Sequence, residues 1–236
     1  MPDPSPQPRL VWQGEDCLSL RWPAALDADL NQLIHRIADA LRALDLPDLC
    51  DVIPAYASLA LQFAPDGVPD RCAIEARVRP LLDAPPAARN GREGPGVLDV
   101  PVCYDARTGP DLDSAAQALG LSAAELVARH SAPVYQVALL GFAPGFPYLL
   151  GLDPALALPR HAQPRAEVAA GSVGIAGAQT GIYPRSSPGG WQLIGRTPWA
   201  LFDPQAQPPA RLRPGQRLRF RPIGFDQFCQ LNESPE

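Results

Sequence analysis

At 236 residues the chain is long enough for one large or two modest domains, each with its own core. Its 25 acidic against 20 basic residues leave a formal net charge of −5, which argues against nucleic acid as the main partner, because phosphate binding needs a basic face. All 20 basic residues are arginine, so the chain itself can supply no P-loop lysine, Schiff-base lysine or biotinyl-lysine.

Residues 1–8 read as a Pro-rich, disordered tail without the apolar segment of a leader, and no run approaches membrane length; a cytoplasmic protein is expected. An N-terminal α+β domain is expected over 9–83. Arg9–Gln13 and Cys17–Trp22, joined by Gly14-Glu15-Asp16, predict a hairpin. From Asp27, a ready N-cap, Leu30, Leu33, Ile34, Ile37, Leu41 and Leu44 repeat at helical spacing up to Pro47. His35 lies beside that stripe, a partly exposed helix position rather than a ligand. Leu49–Pro54 and Tyr56–Phe63 predict strands, the second alternating Ala57, Leu59, Leu61 and Phe63 against Ser58, Ala60 and Gln62. Arg71–Leu82 predicts a weaker helix on Ile74, Val78 and Leu81, disturbed by Pro80. A sheet with two helices on one face would bury both stripes.

Residues 84–96, rich in proline, glycine and charge, read as a linker. A second domain is expected over 97–226, opening with a strand at Val97–Tyr104. Between Asp111 and His130, Gly120 ends one short helix and the capping box Ser122–Glu125 starts another. The second helix offers only Arg129 and His130 as basic residues, so the pair reads as packing on a barrel, not as a DNA-binding helix-turn-helix.

The stretch Leu139–Trp199 holds more than half of the 19 glycines, interleaved with prolines and aromatics, and has no helical period. Short strands with tight corners follow, as in a small β-barrel. Ala170-Gly171-Ser172-Val173-Gly174 lacks the first glycine and the following helix of a nucleophile elbow, and Gly171, Gly174 and Gly177 make no dinucleotide fingerprint for the same want of a helix. The candidate substrate- or partner-binding residues are Phe142, Pro144, Phe146, Tyr148, Arg160, Arg165, Ser172, Gln179, Tyr183 and Arg196. Arg165, between Pro164 and Ala166, is expected to serve a carboxylate rather than a core. Trp191 and Leu193 should face one side of a strand, Gln192 and Ile194 the other, with Trp191 in a core. In Gln216–Ile223, Leu218 and Phe220 alternate with Arg217, Arg219 and Arg221, a closing strand with a basic outer face; 227–236 read as a frayed tail. The five cysteines form no C-x-x-C pair and read mostly as buried thiols; with three histidines, no metal site is expected.

DVIPAYASLAL, GFAPGFPYLLGLDP and PRAEVAAGSVGIAGAQTGIYPRSSPGGWQLIGRTPW resemble the family of the 5-oxoprolinase B subunits, which includes the kinase inhibitor KipI and chains called allophanate hydrolase subunit 1. The resemblance implies an α+β fold, with a sandwich-type N-terminal domain followed by a cyclophilin-like β-barrel domain. It also implies a C-type sibling barrel and an ATP-handling A-type partner, with no cofactor on this chain and ATP used by the partner. Three functions follow from it. The first is a component, inactive alone, of an ATP-dependent complex that opens pyroglutamate (5-oxoproline) to glutamate. The second is an inhibitor that binds a histidine kinase, and the third is half of a biotin-dependent carboxyltransferase of the urea carboxylase type. No nucleic-acid or membrane partner is expected.

Overall fold

The computed structural model describes residues 7–23, 26–67, 69–87 and 96–233, and the chain divides into two compact units, Met1–Gly94 and Pro95–Glu236. The expected tail over 1–8 and linker over 84–96 fall largely outside the described residues.

In the first unit, strands β1 (Arg9–Gln13) and β2 (Cys17–Arg21) form an antiparallel hairpin, its turn opened by Gly14 at φ 66°. Strands β3 (Leu49–Pro54) and β4 (Ser58–Phe63) complete a four-stranded antiparallel sheet of order β1-β2-β4-β3. Leu59, Leu61 and Phe63 of β4 are buried while Ser58, Ala60 and Gln62 are half-buried, as the alternation requires. Helix α1 (Ala28–Ala43) starts where the Asp27 carboxylate accepts from the Asp29 and Leu30 backbone N–H groups at 2.8 and 2.9 Å. Its Leu30, Leu33, Ile34, Ile37 and Leu41 join Ile74, Val78 and Leu82 of α2 (Arg71–Asp83) in one core against the sheet. Each such aliphatic side chain contributes about 1.5–3 kcal/mol on burial. Pro80 does not end α2: it stands in the last turn, and the helix runs on to Asp83. His35 is half-buried, its Nε2 3.1 Å from Asn31 Oδ1.

The second unit is a closed barrel. Its strands are β5 (Leu98–Cys103), β6 (Tyr135–Leu140), β7 (Pro147–Leu150), β9 (Ser172–Ala176), β10 (Gln179–Ile182), β12 (Gln192–Arg196) and β13 (Arg217–Ile223). Around the barrel the order is β10-β7-β6-β13-β5-β12-β9; β13 and β5 run parallel and the other neighbours antiparallel. Strands β8 (Arg165–Val168) and β11 (Ser187–Gly189) pair separately. Val100, Val102, Tyr135, Val137, Leu149, Val173, Ile175, Ile194, Leu218 and Phe220 fill the interior, while Arg217, Arg219 and Arg221 point outward from β13. Gly171, at φ 81°, turns the chain into β9 where a Cβ would lie 2.3 Å from the Thr197 carbonyl oxygen.

Helices α3 (Leu112–Ala118) and α4 (Ala123–Ser131) pack on the barrel through Leu112, Ala115, Ala116 and Leu126. The Ser122–Glu125 capping box is present in both directions. His130, which in the sequence looks like a basic helix end, is wholly buried and stacks on Phe220 at 4.7 Å. Its Nε2 lies 2.9 Å from Thr180 Oγ1, which donates to the Gly174 carbonyl oxygen; Nδ1 lies 2.8 Å from the Tyr104 hydroxyl. That chain of donors fixes the tautomer: Nε2–H donates to Thr180 and Nδ1 accepts from Tyr104. Burial pushes the imidazole pKa down to about 3, so the ring is neutral at neutral pH.

Two expectations need correction. The tail from 227 is not frayed over most of its length: helix α5 spans Phe225–Glu233. Its anchors are the Arg107 guanidinium 3.4 Å over the Phe225 ring and the burial of Phe228, 5.9 Å from the Arg196 guanidinium. Of the cysteines, only Cys103 is buried; Cys50 and Cys72 are exposed and Cys17 and Cys229 half-buried. Cys50 faces solvent from β3, and Cys72 lies off the Ile74–Val78–Leu82 stripe of α2.

Candidate ligand site

Strand β12 is apolar on both faces, and this produces the site. Ile194 points into the barrel, whereas Trp191 and Leu193 point the other way into a second cluster with Phe146, Val168, Ala176 and Tyr183. The rings of this cluster meet edge to face: Phe146–Trp191 at 5.5 Å and 84°, and Phe146–Tyr183 at 5.3 Å and 89°. Trp191 is therefore a core residue, 5% exposed, and at the same time the wall of a pocket of about 230 Å³.

Phe142, Phe146, Tyr148 and Tyr183 supply the other aromatic walls; Arg160, Pro164, Pro188, Gly189 and Gly190 form the rest. Phe142 is 66% exposed, and its backbone at φ 68° is in the left-handed region that a bulky side chain avoids. A Cβ on Gly189 would lie 2.3 Å from the Tyr183 hydroxyl, so this glycine gives the phenol its place. Burial raises the Tyr183 pKa, the Trp191 backbone N–H and the Arg160 charge pulling the other way; the phenol stays a neutral hydroxyl.

The segment carrying Arg160 is pinned from below by Asp111, which is 4% exposed. The Asp111 carboxylate accepts from Arg165 Nη2 at 2.6 Å and from the Leu193 backbone N–H at 2.7 Å, and lies 3.2 Å from His161 Nε2. The Asp111 backbone N–H donates in turn to the Leu193 carbonyl at 2.9 Å, so one residue clamps β12 from both sides. Burial alone would raise the Asp111 pKa; the bonds from Arg165, Leu193 and His161 overcome it and hold the carboxyl below its usual range. Because the carboxylate is committed there, it makes no capping bond to α3. The His161 backbone N–H donates to the Gly190 carbonyl at 2.7 Å, and Gln192 Nε2 donates to the Pro159 carbonyl at 2.9 Å. Arg160 thus sits on a segment tied at Pro159, His161 and Arg165.

The structure gathers Phe142, Phe146, Tyr148, Arg160 and Tyr183 around one pocket. Arg165 opens β8 rather than lying in a loop, and the carboxylate it holds is that of Asp111; its Nη1 is buried without a hydrogen-bond partner among the described residues. Ser172 is buried at the start of β9, Gln179 begins β10, and Pro144 is exposed; none of the three lines the pocket. Arg196 Nε donates to the Ala170 carbonyl at 2.7 Å, a structural tie away from the pocket wall. Asp111 is what sequence reasoning missed: it reads there as one acid of a short helix start, and its partners lie about 50 and 80 residues away. Among the described residues no group of His, Cys, Asp and Glu is arranged to hold a metal ion, and no helix is long and apolar enough to cross a membrane.

Residues 8–212 match the family model for the carboxyltransferase domain, subdomain C and D. The chain is 37% identical to the 5-oxoprolinase B subunit of Bacillus subtilis (strain 168), over 93% of this chain and 95% of that protein. It is 39% identical to the 5-oxoprolinase B subunit of Escherichia coli O157:H7, over 89% of this chain and 93% of that one. Among solved structures, TTHA0988 superposes with a TM-score of 0.76 at 40% identity, covering 88% of this chain; the chain spans 40% of the TTHA0988 chain. With this match over most of its length and near-full-length relatives of that identity, the chain belongs to the carboxyltransferase subdomain C and D family and is a homologue of the 5-oxoprolinase B subunits.

Proposed function

We propose that the chain is the B-type component of a 5-oxoprolinase, the complex that opens the lactam of 5-oxoproline to glutamate with hydrolysis of ATP. The observation that carries this reading is the identity to two proteins of that name over nearly the whole of both chains. It favours the hydrolase reading over kinase inhibition and over biotin-dependent carboxyl transfer. The reaction adds water across the lactam C–N bond: the oxygen joins the carbonyl carbon, and the nitrogen leaves as the amine of glutamate. Activation of a carbonyl that resonance makes unreactive is the task ATP serves. A chain without lysine has no P-loop lysine to offer, which supports placing nucleotide chemistry on a partner.

On this reading the chain, a cytoplasmic protein, is inactive alone and works beside a C-type sibling barrel and an ATP-handling A-type partner. That TTHA0988 carries the matching region within a longer chain supports association with a further module. The test is genetic. Deleting the gene in its own host should make 5-oxoproline accumulate, and restoring the chain should reverse it; an unchanged 5-oxoproline level in the deletion strain would overturn the assignment.

A further inference from the structure

We infer that the aromatic pocket is this chain's own binding site for a small cyclic monocarboxylate, with Arg160 as the counter-ion of the carboxylate and the Tyr183 hydroxyl as donor to the polar edge of the ring. The inference rests on the 5-oxoprolinase reading, which narrows the ligand to a five-membered lactam acid.

Four observations carry it. At about 230 Å³ the pocket falls below the roughly 300–1,000 Å³ of sites for drug-sized ligands, a size that suits a single small ring. Its walls are the rings of Phe146, Tyr148, Tyr183 and Trp191, held by mutual edge-to-face and tilted contacts, so apolar faces stand ready without side-chain ordering on binding. Its charge is unbalanced: Arg160 has no carboxylate partner among the described residues, while the nearby Arg165 and His161 are held at Asp111. One uncommitted guanidinium at an apolar pocket selects one carboxylate, and its planar fork suits that group. Finally, Tyr183 is kept protonated by burial and placed against Gly189 of the pocket rim, so it offers a hydroxyl donor to a neutral carbonyl.

Asp111 enters as a positioning residue. It is not part of the pocket lining, but its contacts with His161 and Arg165 hold the segment next to Arg160 and on either side of Pro164.

Because every lining residue belongs to one unit of this chain, the full chain alone suffices for the test. Calorimetric titration with 5-oxoproline should show saturable one-to-one binding. Arg160→Gln should weaken it about tenfold or more, the worth of one charge-assisted contact. The same variant should leave binding of 2-pyrrolidinone, the lactam without its carboxylate, unchanged. Arg160 is exposed and makes no ion pair among the described residues, so the melting temperature of Arg160→Gln should match that of the wild type. Gly189→Ala, which drives a methyl group onto the Tyr183 hydroxyl, should weaken both ligands. No saturable binding to the wild-type chain, or equal affinity in Arg160→Gln, would overturn the inference. Its failure is separable from that of the 5-oxoprolinase reading. Turnover by the assembled complex with KM unaffected by Arg160→Gln removes the pocket assignment and keeps the 5-oxoprolinase reading. Binding as described, with no turnover by the complex, keeps the pocket and removes that reading.

Discussion

Replacing Asp111 by asparagine tests the clamp beneath the pocket. The substitution keeps the shape and the acceptor oxygen for one of the two closest donors, Arg165 Nη2 and the Leu193 N–H, but removes the charge. Deleting one partner of a buried ion pair costs about 3–5 kcal/mol. Here the Arg165 side chain is 33% exposed, so solvent recovers part of that, and about 2–3 kcal/mol is expected. For a unit the size of Pro95–Glu236 this corresponds to a fall in Tm of about 5–10 °C. The pH dependence is diagnostic. Folding lowers the Asp111 pKa, so near pH 4 and below the unfolded chain binds the extra proton, and the stabilisation is present above the unfolded pKa and lost as pH falls through the folded one. Thermal melts of both proteins from pH 3 to 7 should therefore show a gap at neutral pH that narrows towards pH 3. A gap under about 2 °C at pH 7, or one equally wide at pH 3, would refute the reasoning.

Trp191→Ala should cost about 3–5 kcal/mol in denaturant unfolding, because the ring is 5% exposed within a packed aromatic cluster; a loss below 1 kcal/mol would remove it from the core. His130 should make the wild type lose about 1.4 kcal/mol per pH unit between pH 6.5 and 4, since the unfolded imidazole takes a proton the buried ring refuses; His130→Gln should flatten that slope, and an unchanged slope would contradict the assignment. Phe142→Gly should leave Tm within a few degrees, as relief of the left-handed backbone, about 1–2 kcal/mol, offsets the lost ring contacts with Phe146 and Tyr183, while 5-oxoproline binding weakens; a large fall in Tm would show that Phe142 is structural.

What could be read from the sequence follows the physics of each element. Helix α1 and strand β13 were legible because each has one buried face, so the period of 3.6 or 2 stands out in Leu30–Leu41 and in Leu218–Phe220. Strand β9 is buried along its whole length, between the barrel interior and the Trp191 cluster, so its SVGIA sequence alternates small and large residues with no exposed polar face to read. Helix α5 was missed because its hold on the barrel unit comes from Arg107 and Arg196, residues remote in sequence. The aromatic lining of the pocket was legible as Phe142, Phe146, Tyr148 and Tyr183, rings crowded among glycines and prolines, although Phe146 and Tyr183 are core residues as well. Ser172 and Gln179 looked equally suitable by residue type, but the fold places them at the starts of β9 and β10, outside the pocket lining. Asp111 left no local signal, because its three partners arrive from β12, β8 and the segment before β8.

The most direct test is reconstitution by omission. The chain is purified together with its A-type and C-type partners, and 5-oxoproline consumption and ADP release are followed with each component left out in turn. The account predicts coupled turnover only when this chain is present, and none from the chain alone. Equal turnover without it, or ring opening by the isolated chain, would contradict the account.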